Sequence, residues 1–208
     1  MIVEQYGLRY VRVLEEHLEI IRYWRNQDFI RETMLFKEYI TPSMQKDWFR
    51  KINNKYNYYF IIEHDNKKIG LISCKDTEPE TKIAEGGIFI WDKIYWGTMI
   101  PAFASLTMLQ AIFDYFKSGE ESIITVASNN KIALDFNFSL GYEIKNENDG
   151  FYKLYLTKEK FNTHCKKLIK AAAIFNPKES MFKLNGQPNN LQIDEINNYM
   201  IQNQITDL

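Results

Sequence analysis

The chain has few of the residues that build disulfide frameworks and metal centres. Its two cysteines, Cys74 and Cys165, are far apart and form neither a CxxC pair nor a zinc-like spacing, so neither a disulfide scaffold nor a metal site is expected. The three histidines, His17, His64 and His164, are equally scattered, without the serine or cysteine context of a nucleophilic triad. Charge of one sign is also missing. The 26 lysines and arginines stand against 27 aspartates and glutamates, a net charge of −1, which gives no positive field to hold a phosphate backbone and argues against a nucleic-acid partner. The opening residues MIVEQYGLRY lack a basic region followed by an apolar run, so no typical signal peptide is expected. The most apolar stretch, Ile100 to Phe116, carries Pro101, Ser105, Thr107, Gln110 and Asp114, too polar and too short for a membrane span. These absences fit a reducing cytoplasm and no membrane partner.

What is present is a chain of 208 residues with 45% hydrophobic and 15% aromatic residues, enough to bury one substantial core. Leu8 to Val13 alternates and reads as a strand. Leu18, Ile21 and Trp24 have helical spacing, and a second helical stretch carries Phe29, Ile30 and Met34. Thr41 before Pro42 suits a helix start leading into Met44, Trp48 and Ile52. Tyr58 to Glu63 and Ile69 to Lys75 are β-rich runs around a polar turn, an antiparallel pair. Ile83 to Trp91 reads as a strand weakened by Gly86 and Gly87, residues that a bulge or a close approach would require. Gly97 and Thr98 then open a long helix, Ser122 to Ala127 forms a strand, and Asn130 to Leu140 a helix stopped by Gly141. Tyr142 to Ile144 and Phe151 to Leu156 close the pattern as a hairpin. The order predicts a mixed α/β fold of α+β type, with helices packed on a largely antiparallel sheet.

After residue 157 the composition changes. A helical stretch runs to Ala173, and 11 of the 33 residues from Asn176 to Leu208 are asparagine or glutamine. The expected division is a domain over 1–157 and an extension over 158–208. In the extension Asp194 can cap a short helix presenting Ile193, Ile196 and Met200, a stripe suited to docking on the parent domain or on a twin subunit in a homodimer.

The most specific segment is Asn130-Lys131-Ile132-Ala133 followed by Leu140-Gly141-Tyr142. An asparagine at a helix start, a small residue three on, and Gly-aromatic eleven and twelve on resemble the late signature of the GNAT superfamily of acyl-CoA-dependent N-acyltransferases. The resemblance implies acetyl-CoA as acyl donor, held by backbone amides at a helix start where unpaired N–H groups and the helix dipole favour phosphate. Phe89, Ile90, Trp96, Gly97, Thr98, Met99 and Asn130 are the donor-binding candidates that it implies. The family's glutamine or arginine, two residues, glycine, one residue, glycine or alanine reads here Ile94-Tyr95-Trp96-Gly97-Thr98-Met99, keeping only the first glycine. Pro101 removes one amide from the helix start.

For the chemistry, an acceptor ammonium must lose a proton before its nitrogen attacks a thioester. Glu85, on the strand where several family members place a carboxylate, is the candidate base; the alternative is a solvated strand glutamate. The position at which the family often has a tyrosine acid is Asn137, whose amide can only hydrogen-bond the sulfur. The N-terminal order Trp24-Arg25-Asn26, Ile30-Arg31, Met34, Ile40, Trp48-Phe49, Tyr59-Phe60 and Ile69-Gly70 resembles the branch acting on nucleotide-linked amino sugars, as in pseudaminic-acid biosynthesis, and also the ribosomal-protein acetyltransferases. Arg25, Asn26 and Arg31 are the acceptor-binding candidates, the arginines through their paired donors. The resemblance implies a primary amine acceptor, with a sugar nucleotide preferred; a protein N-terminal amine and a non-catalytic binding role are the alternatives.

Overall fold

The first twelve residues make a tight hairpin. Strands β1 (Ile2–Gln5) and β2 (Leu8–Arg12) are joined by Tyr6 and Gly7, both at positive φ, the two-residue geometry whose twist matches paired strands. The computed structural model describes residues 1–54, 56–75, 80, 82–116, 119–175 and 179–185. Strand β1 is absent from the sequence reading because its buried Gln5, 3% exposed, breaks the apolar alternation.

Helix α1 (Leu18–Arg25) and a single turn α2 (Asp28–Arg31) follow; α2 is shorter than the stretch to Met34 that the spacing suggested. Helix α3 (Pro42–Ile52) starts as expected, the Thr41 hydroxyl accepting from the Met44 amide and proline in the first turn. Strands β3 (Tyr58–His64) and β4 (Lys67–Lys75) turn at Asp65 and Asn66, both at positive φ. After β5 (Ile83–Ile90) the chain enters α4 (Ile100–Gln110), which continues as a π-helical turn over Ala111–Tyr115. The helix begins at Ile100, not at Gly97, because Gly97 is at φ +75°, outside the right-handed helical region.

Strand β6 (Glu121–Ala127), helix α5 (Lys131–Ser139), and strands β7 (Glu143–Asn148) and β8 (Phe151–Thr157) complete the central order. Helices α6 (Lys158–His164) and α7 (Lys166–Phe175) and strand β9 (Lys183–Asn185) follow. Among the described residues the nine strands form one sheet, β7-β8-β6-β5-β4-β3-β2-β1-β9. Every pairing is antiparallel except that of β5 with β6.

Strand alternation sends side chains to two cores. On one face Phe60, Ile72, Ala84, Ile124 and Leu154 meet Phe103, Leu106 and Ile112 of the long helix, with Phe161 of α6 and Phe182 beside them. On the other face Tyr59, Ile61, Leu71 and Trp91 pack under Leu18, Ile21, Ile30 and Phe49 of the first three helices. Phe161, Cys165, Ala172 and Phe182, all beyond 157, thus pack in the first core, and β9 pairs with β1. The expected cap at Asp194 and the stripe Ile193, Ile196 and Met200 lie outside the described residues. Among the described residues no helix is long and apolar enough to cross a membrane.

His17 sits where α1 begins, 2% exposed, its Nδ1 accepting from the Leu14 amide at 3.1 Å. Burial, with help from the charge of Lys68, lowers its pKa below the ordinary 6.5. The unfolded chain therefore takes up a proton that the folded chain refuses, so the His17 contribution is complete above about pH 6.5 and declines as pH falls below it. Thermal melts between about pH 7.5 and pH 5.5 should show a falling Tm whose slope flattens in His17→Gln. An unchanged slope in the variant would remove His17 as the cause.

Candidate active site

The site begins where two parallel strands part. Strands β5 and β6 are in register only over Ile83, Ala84 and Glu85 against Glu121, Ser122 and Ile123. Beyond those residues both strands continue, to Ile90 and Ala127, without pairing to each other. The result is a wedge-shaped notch with its apex at Glu85 and Ile123. Its open end leads into α4 from one strand and α5 from the other.

The backbone direction inside the notch follows from one hydrogen bond. The Trp91 amide donates to Ile69 on β4 at 2.9 Å, so by alternation the backbone groups of Gly86, Ile88 and Ile90 turn away from β4 and toward the notch. The Ile90 carbonyl accepts from the Trp96 indole at 2.8 Å. Trp96 therefore anchors the loop that leads to α4. At that helix start the Thr98 hydroxyl donates to the Tyr95 carbonyl at 2.7 Å and accepts from the Ile100 amide at 3.2 Å. Among the described residues the amides of Gly97 and Met99 have no hydrogen-bond partner, and the Met99 side chain is half exposed. Gly97 is at φ +75° with open space where a Cβ would stand, so the glycine is required by backbone conformation, not by contact. Two free amides at a helix start, with exposed notch backbone behind them, fit a phosphate-bearing thioester ligand.

Glu85 stands at the apex, its carboxylate 3.0 Å from the Lys75 ammonium. It shares a strand face with Gly87 and Phe89, the face of the first three helices. Gly87 leaves that face bare just beyond the carboxylate. Arg25 reaches this region from α1: its guanidinium lies 5.9 Å from the centroid of the Phe89 ring, and Nη2 donates to the Phe36 carbonyl at 3.5 Å. Its Nη1 is buried without a partner, and burial lowers its pKa. Asn26 faces elsewhere, its amide donating to the Ile40 carbonyl at 2.9 Å and accepting from the Ile40 amide at 2.8 Å. Both polar ends of Asn26 thus pin the loop after α2. Arg31 pairs with Asp28 at 2.5 Å within its own turn.

The signature residues after β6 serve the local fold. Asn130 caps α5, its Oδ1 accepting from the Ala133 amide at 3.2 Å, and Asn137 Nδ2 donates to the Ala133 carbonyl at 2.7 Å. Gly141 is at φ +94°, and a Cβ there would lie 3.0 Å from the His164 ring. Tyr142 is 6% exposed and shares a 2.7 Å hydrogen bond with Ser122. Burial pushes its phenol far up. Ser122 is one of the three paired residues of β6, so Tyr142 lies below the apex and does not face the notch.

Sequence reasoning missed a cavity of about 530 Å³ lined by Leu35, Thr125, Asn146, Glu147, Asn148, Phe151 and Lys153. Thr125 belongs to the free half of β6 and points to the Glu85 face, opposite Ile124 and Val126 of the first core. The cavity therefore adjoins the notch on the side of the carboxylate. An aromatic group flanks the loop: Trp24 stacks on Trp91 at 6.0 Å, Phe29 lies 5.8 Å from Trp96, and the Lys93 ammonium sits 4.2 Å from the centroid of Phe29. No sequence motif announces either feature, since both join residues from distant elements.

A parted parallel strand pair with two free amides at a helix start fits an acyl-CoA-dependent N-acetyltransferase. The chain belongs to the GNAT acetyltransferase family: the profile of the acetyltransferase (GNAT) domain matches residues 8–142. Solved structures share the fold. A spermidine N-acetyltransferase from Vibrio cholerae, in complex with CoA and spermine, is 17% identical at TM-score 0.65, with 74% of this chain and 98% of that one covered. RimL, a ribosomal L7/L12 alpha-N-protein acetyltransferase in complex with coenzyme A, is 16% identical at TM-score 0.59, covering 73% and 94%. A domain from Methanocaldococcus jannaschii DSM 2661 is 17% identical at TM-score 0.64, covering 72% and 97%. No curated protein sequence matches the chain.

Proposed function

We propose that this chain transfers acetyl from acetyl-CoA to a primary amine by direct attack in a ternary complex, with Glu85 as the base and a nucleotide-linked amino sugar as the preferred acceptor class. The observation that carries the reading is the position of Glu85, at the apex of the notch and on the face of the adjoining cavity. The donor enters from the helix starts, with phosphates at the Gly97 and Met99 amides and the thioester toward the apex. Notch-facing backbone at Gly86 and Ile88 supplies donors for the thioester oxygen as charge develops on it. The acceptor ammonium gives one proton to Glu85. Its nitrogen then forms the C–N bond as the C–S bond breaks, and the departing thiolate takes up the second proton. Arg25 and the surrounding aromatic rings suit an acceptor with an anionic, planar group. Both cysteines are free and buried, which suits the cytoplasm as the place of reaction.

The first test is calorimetric titration with acetyl-CoA and then with CoA. Saturable binding, weakened by Gly97→Trp, is expected. Acetylation is then assayed on a UDP-linked amino sugar, on spermidine and on a peptide with a free N-terminus. Absence of saturable binding sinks the acetyltransferase reading and leaves a non-catalytic role, and preferred acetylation of the peptide replaces the sugar acceptor with a protein amine.

A further inference from the structure

The floor of the cavity presents a single kind of charge. Register places Thr125, Lys153 and Asn146 side by side across β6, β8 and β7, and Ala127, Phe151 and Asn148 form the next row. Glu147 pairs with Tyr152, so its side chain leaves from the opposite face of the sheet. Among the lining residues Lys153 is therefore the charged side chain that the floor directs into the cavity. Neighbouring lysines have acid partners: Lys75 with Glu85 at 3.0 Å, Lys145 with Glu121 at 2.7 Å, and Lys160 with Glu143 at 2.5 Å. Among the described residues Lys153 has no ion pair. Arg25 likewise has no carboxylate partner among them, and it braces the Phe36 carbonyl next to the roof residue Leu35.

A lysine without an ion pair on the cavity floor repels an acceptor ammonium unless the acceptor brings negative charge of its own. A polyamine brings none, and each further ammonium raises the cost. An acceptor with a phosphate or a carboxylate gains a charge-assisted hydrogen bond while its amine points toward Glu85. We infer that Lys153 is a specificity-determining residue, binding an anionic group on the amine acceptor and thereby excluding polyamines. The inference rests on the acetyltransferase reading and adds the residue that selects for an anion on the acceptor.

The test compares paired acceptors that differ in one anion, using the full chain at saturating acetyl-CoA: glucosamine against glucosamine phosphate, and glycine against glycinamide, with spermidine as the polycation. The anionic member of at least one pair should show a kcat/KM about tenfold higher or more, and the responding pair identifies phosphate or carboxylate as the group read. Lys153→Gln should erase that advantage through the acceptor KM while leaving the KM for acetyl-CoA unchanged, and Lys153→Arg should restore it. Equal rates within both pairs, an advantage that survives in Lys153→Gln, or a preference for spermidine would overturn the assignment. If acetyl-CoA fails to bind at all, the acetyltransferase reading fails first and takes this inference with it. If it binds and amines react without regard to charge, only the role of Lys153 falls.

Discussion

Replacing Glu85 by glutamine should lower kcat about a hundredfold, the scale of a lost general base, with the KM for acetyl-CoA and the melting temperature nearly unchanged. The separation follows from its surroundings. Glu85 pairs with Lys75 at the sheet surface, and an exposed ion pair contributes about 1 kcal/mol or less to stability. A purely structural glutamate would therefore show a small stability change and no kinetic effect. A base acting on the acceptor ammonium predicts the reverse, and also predicts that the deficit narrows as pH rises and more of the acceptor amine is already neutral. Steady-state rates at several pH values, together with a melt of each protein, distinguish the two. A glutamine variant with wild-type kcat would assign deprotonation to water.

The elements that the sequence revealed are those governed by local chemistry. Thr41 with Pro42, Asn130 with Ala133, and Gly141 at positive φ fix helix ends through contacts within a few residues. Those signals can be read without knowing the rest of the fold. Strand β1 escaped because Gln5 is buried by partners far along the chain, Gln110 and the Ser180 carbonyl. The cavity escaped for a related reason. Its floor depends on pairing β6 with β8 and β8 with β7, and on the register shift between Ile144 and Asn146 that brings Asn146 opposite Lys153. A one-residue error there would have turned every side chain of that row to the other face. Glu85 is a candidate through the family resemblance alone, and Asn26, an acceptor candidate in the sequence, turns its two polar ends to Ile40. An asparagine on a helix does not reveal which backbone it will meet.

Gly87→Val should abolish most acetylation while acetyl-CoA still binds. Gly87 lies between Glu85 and Phe89 on the acceptor face, and a Cβ there would come 3.2 Å from the Ser73 hydroxyl and touch nothing else within 4 Å. That hydroxyl can rotate aside, and valine suits a strand, so the fold tolerates the change. The two added methyl groups then occupy the approach to the apex, where the amine must come within reach of both the carboxylate and the thioester. Displacing a reacting group by about 1 Å costs about a hundredfold in rate, and a β-branched side chain imposes at least that. Gly86→Val offers the contrast: its Cβ would press on Ile124 at 3.2 Å, on the opposite face, and should weaken the packing of the notch itself. Calorimetry should find the acetyl-CoA affinity preserved in the Gly87 variant and reduced in the Gly86 variant. Equal loss of donor binding in both would mean that the two faces of β5 do not divide donor support from acceptor access.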